Sequence, residues 1–211
     1  MEEQIKQIQN NAIEEISLSQ DVKALEETKV KYLGKKGELT AILRGMGGLS
    51  PEERPIIGSL VNEVREKIEL ILKQKEEELK NKEMEEKLKK LLENSYTPYY
   101  KYPVASVIVM KDGKEFSGVN VETSSPAAGI CAERNALYTS ITEGYKKGDV
   151  KEIHVMSKTE QECWPCFICR HAISDLCDKD TKVISHTYSG KIVTKTVEEL
   201  CPLPFGDENM K

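Results

Sequence analysis

At 211 residues, the chain has room for one large domain or two small ones. A net charge of −5 with 32% charged residues excludes a global basic field that would draw the whole chain to nucleic acid. No apolar run is long enough to span a membrane, and a start of Met-Glu-Glu without a basic-then-apolar leader predicts a cytoplasmic protein.

The aromatic residues are unevenly spread. The first ninety residues hold only Tyr32, while all three Phe and the single Trp lie beyond residue 115. That shift predicts a charged helical part followed by a compact mixed part. Six cysteines suit a reducing compartment, where thiols bind metal or stay free; three disulfides of a secreted chain are the competing reading.

Residues 3–32 read as helix, with Ile5, Ile8, Ala12, Ile16, Val22, Leu25 and Val30 at spacings near three and four. Ser17-Leu18-Ser19 and Asp21 mark a break or a fresh cap. Gly34 and Gly37 interrupt the pattern, and a short helical piece from Glu38 to Arg44 ends at Gly45, Gly47 and Gly48. Ser50-Pro51-Glu52-Glu53 is a helix start with a capping box. The stripe that follows is Ile56, Ile57, Leu60, Val61, Val64, Ile68, Ile71 and Leu72. Two helices with facing stripes and a glycine-rich link predict an all-α antiparallel helical hairpin, a coiled-coil arm. Residues 73–90 are nearly all charged and read as a solvated helix, while Leu79, Met84, Leu88, Leu91 and Leu92 revive an apolar stripe.

Val30-Lys31-Tyr32-Leu33-Gly34-Lys35-Lys36-Gly37-Glu38-Leu39-Thr40 and Leu49-Ser50-Pro51-Glu52-Glu53-Arg54-Pro55 resemble the N-terminal arm of the phenylalanyl-tRNA synthetase alpha subunit. The likeness covers about residues 1–80. It implies a coiled coil that touches tRNA. The synthetase's catalytic core does not follow, so aminoacylation is not expected. Lys29, Lys31, Lys35, Lys36 and Arg44 form a modest basic cluster at the bend, suited to phosphate contacts without sequence reading. A solvated tip and an oligomerisation seam are the alternatives.

Beyond an irregular segment between Pro98 and Pro103, strands are predicted at 104–110, 115–122, 150–156, 182–186 and 191–194. The first two are joined by an Asp112-Gly113 turn. Helices are predicted at 131–143 and 166–176. Strands alternating with helices predict an α/β fold, a mixed sheet covered by helices. The composition shift and the family resemblances imply domains at 1–80 for the arm and 81–211 for the mixed part.

Cys131-Ala132-Glu133 and Pro165-Cys166-Phe167-Ile168-Cys169 carry the chemistry. Three thiolates from Cys131, Cys166 and Cys169 suit a tetrahedral Zn2+ that keeps its fourth position for water. Glu133, two residues after the first ligand, suits the proton carrier of a zinc deaminase rather than a ligand. The bland readings are a first-turn helix acid and a structural zinc closed by Cys163 or Cys177.

Residues from about Ser95 onward resemble the cytidine deaminase family in its free-nucleoside, three-cysteine form. Besides the thiol motif, Tyr96–Val104, Phe116–Glu122 and Leu200–Gly206 match its segments in order. The resemblance implies a three-layer α/β/α sandwich and a homo-oligomer, tetramer or dimer. It implies Asn120 and Glu122 on the sugar hydroxyls, Tyr102 in the base pocket and Arg134 balancing the thiolate charge. It implies that Phe205 completes a neighbouring subunit's site. Arg170 is either a second charge-balancing group or a surface ion pair, and His154, His171 and His186 are read as ordinary residues.

Because Cys rather than His comes first, free cytidine or deoxycytidine is the expected substrate, and pyrimidine salvage the expected role. The arm favours an RNA-binding or RNA-directed alternative. Thr123, Pro126, Trp164 and His171 depart from the family's usual residues and are expected around the pocket. They open a third reading, a modified cytosine nucleoside such as an aminoacylnucleoside antibiotic.

Overall fold

The computed structural model describes residues 1–210; Lys211 and the side chains of Asp207 and Glu208 lie outside the described residues. The chain divides into two compact units, Met1–Glu83 and Met84–Lys211.

The first unit is all-α. Helix α1 spans Glu2–Leu18, α2 Val22–Leu33, α3 Glu38–Gly45, and α4 begins at Glu53 and runs to Leu92. The break between α1 and α2 is a fresh cap: the Asp21 side chain accepts a hydrogen bond from the Ala24 amide at 2.8 Å. The first arm of the expected hairpin is thus two helices, with α3 as a third piece packed on the same seam. Gly37 allows the tight return into α3, since a Cβ there would lie 2.7 Å from the Tyr32 carbonyl oxygen. The capping box at the start of α4 forms as read, with Ser50 and Glu53 each accepting the other's amide at 3.3 and 3.0 Å.

The seam buries Ile5, Ala12, Ile16, Leu25, Tyr32 and Leu39 against Ile57, Val61, Val64, Ile68 and Leu72 of α4. Each such side chain is worth roughly 1.5–3 kcal/mol of burial. Ile56 lies outside the stripe and is 60% exposed. One residue away from Ile57, it is turned about 100° around the helix. The Tyr32 hydroxyl donates to Glu15 Oε1 at 2.8 Å, and Lys31 pairs with the same oxygen.

The second unit is a five-stranded sheet in the order β2-β1-β3-β4-β5, with β1 Val104–Met110, β2 Glu115–Val119, β3 Val150–Ser157, β4 Lys182–His186 and β5 Ile192–Thr196. All pairs are antiparallel except β3 and β4, which run parallel. A parallel pair needs a crossover, and helix α6 (Phe167–Leu176) supplies it. Helix α5 spans Ala132–Thr142.

Alternation along β1 sends Ile108 and Met110 to one face and Ala105 and Val107 to the other. The first face packs on α5 and α6 through Leu137 and Ile173. The second packs on the end of α4 through Met84, Leu88 and Leu92. The result is the expected three-layer α/β/α arrangement. Strand β2 stops at Val119, and Val121 continues only as isolated bridges to Tyr96 and Ile130.

Gly118 sets how closely α5 lies on β2. A Cβ there would meet the Ala132 carbonyl oxygen at 2.4 Å and the Ala136 amide nitrogen at 2.5 Å. Any larger residue would push away the helix that carries Glu133.

Candidate active site and metal centre

Two helix starts on one side of the sheet build the site. Cys131 is the residue before α5, and Cys166 the residue before α6. Cys169 lies in the first turn of α6 and Glu133 in the first turn of α5. Unpaired backbone N–H groups at such starts favour thiolate over thiol.

The Sγ atoms of Cys131, Cys166 and Cys169 all lie within 4.8 Å of one another, and those of Cys131 and Cys166 are 3.8 Å apart. A tetrahedral centre with zinc–sulfur bonds of about 2.3 Å holds its sulfurs ~3.8 Å apart. The donor set therefore fits zinc. Cys163 and Cys177 are both buried and stand outside the cluster.

The thiols are electrically uneven. A hydrogen bond from Cys169 is the main force that brings the Cys131 thiol down to about 5; Arg134 and Cys166 add to it against burial. The Cys169 thiol is pushed far above the ordinary thiol range, first by its interaction with Cys131 and then by burial and Glu133. Arg134 Nη2 donates to Cys131 Sγ at 4.0 Å. Burial works against the Arg134 charge, but its bonds to Cys131 and Cys169 more than offset this, and its pKa rises. Among the described residues, its buried Nε has no hydrogen-bond partner.

Glu133 is 4% exposed, and its Oε2 accepts from Cys169 Sγ at 3.7 Å. Burial is the chief cause that pushes its carboxyl up to about 7. A carboxyl so placed can both take and give a proton near neutrality.

Cys131, Cys166 and Glu133 line a cavity of about 610 Å³, which Tyr102, Asn120, Glu122 and Arg134 also line. Asn120 and Glu122 first hold the segment before β1. Asn120 Oδ1 accepts from the Val104 amide at 2.8 Å, and its Nδ2 donates to the Tyr102 carbonyl at 2.9 Å. Glu122 Oε2 accepts from the amides of Tyr99 and Tyr100 at 2.8 and 3.0 Å. These bonds fix both side chains at the cavity wall.

The Tyr102 hydroxyl donates to Ser157 Oγ at 3.2 Å and lies 3.9 Å from Cys163 Sγ. Phe205, 61% exposed, does not line the cavity of its own chain.

Of the departures from the family pattern, Thr123, Pro126 and Trp164 do line the cavity. His171 does not: it is half exposed and faces Asp175 at 3.5 Å, one turn along α6. Arg170 takes neither of the roles expected of it. Its guanidinium donates to the carbonyls of Pro165 and Leu200 at 2.7 and 3.1 Å.

Tyr100, Ile130 and Ile168 also line the cavity, and sequence reasoning did not single them out. Ile168 had a signal, as an apolar residue between the two motif cysteines. Ile130 reaches the wall through its bridge to Val121 and Tyr100 through its amide bond to Glu122, and no periodicity announces either.

The family described as the cytidine and deoxycytidylate deaminase zinc-binding region matches over residues 78–185, more than half of the chain. The chain belongs to that family. Its deaminase unit is similar to cytidine deaminase from Burkholderia pseudomallei, 32% identical with a TM-score of 0.55, over 57% of this chain and 94% of that one. A point mutant of cytidine deaminase from Mycobacterium tuberculosis, at 18% identity and TM-score 0.51, covers 59% of this chain and 94% of that one and shares the fold.

The N-terminal domain of class II aminoacyl tRNA synthetases matches over residues 20–88. Among curated relatives, the phenylalanine–tRNA ligase alpha subunits of Anoxybacillus flavithermus and Clostridium botulinum (strain Eklund 17B) are 53% and 56% identical, each over 88 residues. That stretch is 42% of this chain and 26% of each subunit, so the chain spans about a quarter of their length. The two family matches overlap within α4, at residues 78–88. Among the described residues, no helix is long and apolar enough to cross a membrane.

Proposed function

We propose that the protein is a zinc-dependent deaminase that converts free cytidine and deoxycytidine, with water, to uridine and deoxyuridine and ammonia, in pyrimidine salvage. The observation that carries the choice of nucleoside over nucleotide is the charge of the cavity wall. It includes Glu122, Glu133 and Glu162, and its one cation among the described residues, Arg134, is turned to the thiols. A 5′-phosphate entering there would meet the Glu122 carboxylate and, among the described residues, no lysine on the wall; Lys191, outside the lining, is already paired with Glu162 at 2.9 Å.

On this reading Cys131, Cys166 and Cys169 hold the metal, and Arg134 offsets their negative charge. Bound zinc supplies an acidified, oriented water. Glu133 carries both protons of the attacking water in turn, taking each on its carboxylate and passing the first to N3 of the cytosine ring and the second to the leaving amine. Its burial favours the neutral acid and so eases the uptake of each proton from water, while a value near neutrality still lets it give the proton up. Asn120 and Glu122 hold the sugar hydroxyls; Glu122 Oε1 has no hydrogen bond among the described residues and can accept one. Tyr102 lines the base pocket, its hydroxyl anchored away from the ring on Ser157. Phe205, exposed on its own chain, reaches the site of a second copy in a homo-oligomer. Thiols that hold metal rather than pair as disulfides suit a reducing, cytoplasmic home.

The test is turnover of cytidine and deoxycytidine beside their 5′-monophosphates, followed by loss of absorbance. Nucleosides preferred by at least about a hundredfold in kcat/KM (~2.7 kcal/mol) supports the reading; equal or better use of the monophosphates rejects it.

We further assign residues 1–80 to an accessory arm that contacts tRNA, on its 53–56% identity to synthetase arms. Lys35 and Lys36 carry no ion pair among the described residues, whereas Lys29 and Lys31 are paired with Glu26 and Glu15. Retention of tRNA by the full chain, lost on deleting residues 1–80, is the expected result. No difference between the two proteins leaves the arm an assembly element.

A further inference from the structure

The two downstream thiols depend on the loop that enters α6. Proline at position 165 contributes no N–H, so the loop must be held by other groups. The Cys163 amide donates to the buried Ser185 Oγ on β4 at 2.8 Å. The other anchor is Arg170, one turn into α6. Its Nε donates to the Pro165 carbonyl at 2.7 Å and its Nη1 to the Leu200 carbonyl at 3.1 Å. The guanidinium also lies over the Phe167 ring at 4.8 Å. Leu200 ends helix α7 (Val197–Leu200), which a capping box between Thr196 and Glu199 fixes to the end of β5.

One side chain therefore ties three pieces together: the loop before Cys166, the helix that carries Cys169, and the start of the C-terminal segment. Two carbonyls at fixed angles call for a planar fork of donors, which arginine has and lysine lacks. The thiols receive none of these donors; their cation is Arg134.

We propose that Arg170 is a positioning residue of the metal centre. By fixing the Pro165 carbonyl it holds Cys166 and Cys169 in place against Cys131, and through Leu200 it braces that arrangement on the C-terminal segment. The inference rests on the assignment of those three cysteines as zinc ligands.

The test uses the zinc-loaded full chain and follows zinc release to an excess of a colorimetric chelator. Arg170→Ala and Arg170→Lys are compared with the native protein and with Cys166→Ser, with thermal melts by circular dichroism alongside. Arg170→Ala is expected to release zinc at least tenfold faster while melting within a few degrees of native, and Arg170→Lys to fall between the two. Release from Arg170→Ala at the native rate overturns the proposal. So does a native rate from Arg170→Lys, which would make charge alone sufficient. Should Arg170→Ala not fold, the lysine variant decides by the same criterion. Failure of the ligand assignment is separately visible, as native protein without zinc or as Cys166→Ser retaining it at the native rate.

Discussion

The two units are stable for different reasons. The arm buries an aliphatic seam plus Tyr32 and keeps its charges in water; Ser19 is its one buried polar residue among those described. The deaminase unit buries Glu133, His154, His186, Ser106, Ser140, Ser157, Ser185, Thr181 and Thr187 alongside its aliphatic core. Burying polar groups costs free energy unless each finds a partner. In the deaminase unit the partners also place the site: Ser185 holds the Cys163 amide, and Ser157 holds the Tyr102 hydroxyl. The arm is organised by periodicity and the deaminase unit by a polar network around one cavity.

The sharpest way to break this contrast is at the thiols. Cys166→Ser is expected to abolish zinc binding and lower deaminase turnover at least about a thousandfold (~4 kcal/mol), with the arm's helices intact by circular dichroism. Next comes the contact between β2 and α5. Gly118→Ala puts a methyl group against backbone that cannot yield cheaply, and about 3 kcal/mol or more of stability should be lost from the deaminase unit. Urea unfolding followed at Trp164, which belongs to that unit alone, reads this loss.

The third effect depends on pH. Burial is the main cause that holds the His186 imidazole down at about 4, and its Nε2 stands 2.9 Å from His154 Nδ1. Unfolded, it takes up a proton near its usual value of about 6.5. As pH falls from about 6.5 towards 4, the unfolded chain binds a proton that the folded chain refuses, so stability falls through that window. At pH 5 the loss is expected to reach about 1–2 kcal/mol, and to be smaller in His186→Asn. Glu152, Lys182 and Glu85 also face the pair, which makes the difference between native and variant the quantity to measure. The smallest effect is at the arm. Deleting residues 1–80 is expected to change cytidine turnover less than about threefold (~0.7 kcal/mol), read by the same absorbance assay.

Much of this was legible in the sequence, by two kinds of signal. Spacing gave the strands, the helix starts and the capping box at Ser50. The Cys-x-Glu and Pro-Cys-x-x-Cys units pointed to the thiol cluster because short motifs fold locally, each at a helix start. What spacing could not give depends on contacts between distant segments. That Ser185 supports the loop at Cys163 follows from β4 lying beside β3. That Arg170 turns from the thiols follows from two carbonyls, one of them thirty residues away. His171 was placed near the pocket by its neighbours in sequence, but one helical residue beyond Arg170 it points to solvent. Ile56 failed for the same reason, as a position beside the stripe rather than on it.

On the proposed function, this chain deaminates a free cytosine nucleoside through Glu133 at a three-thiol zinc centre. The most direct measurement is loss of cytidine absorbance by the purified full chain, beside Glu133→Ala, with zinc content determined on both. About one zinc per chain in both proteins, turnover in the native one and a fall of at least about a thousandfold in Glu133→Ala is the predicted result. Zinc bound equally and cytidine consumed equally by both would contradict it.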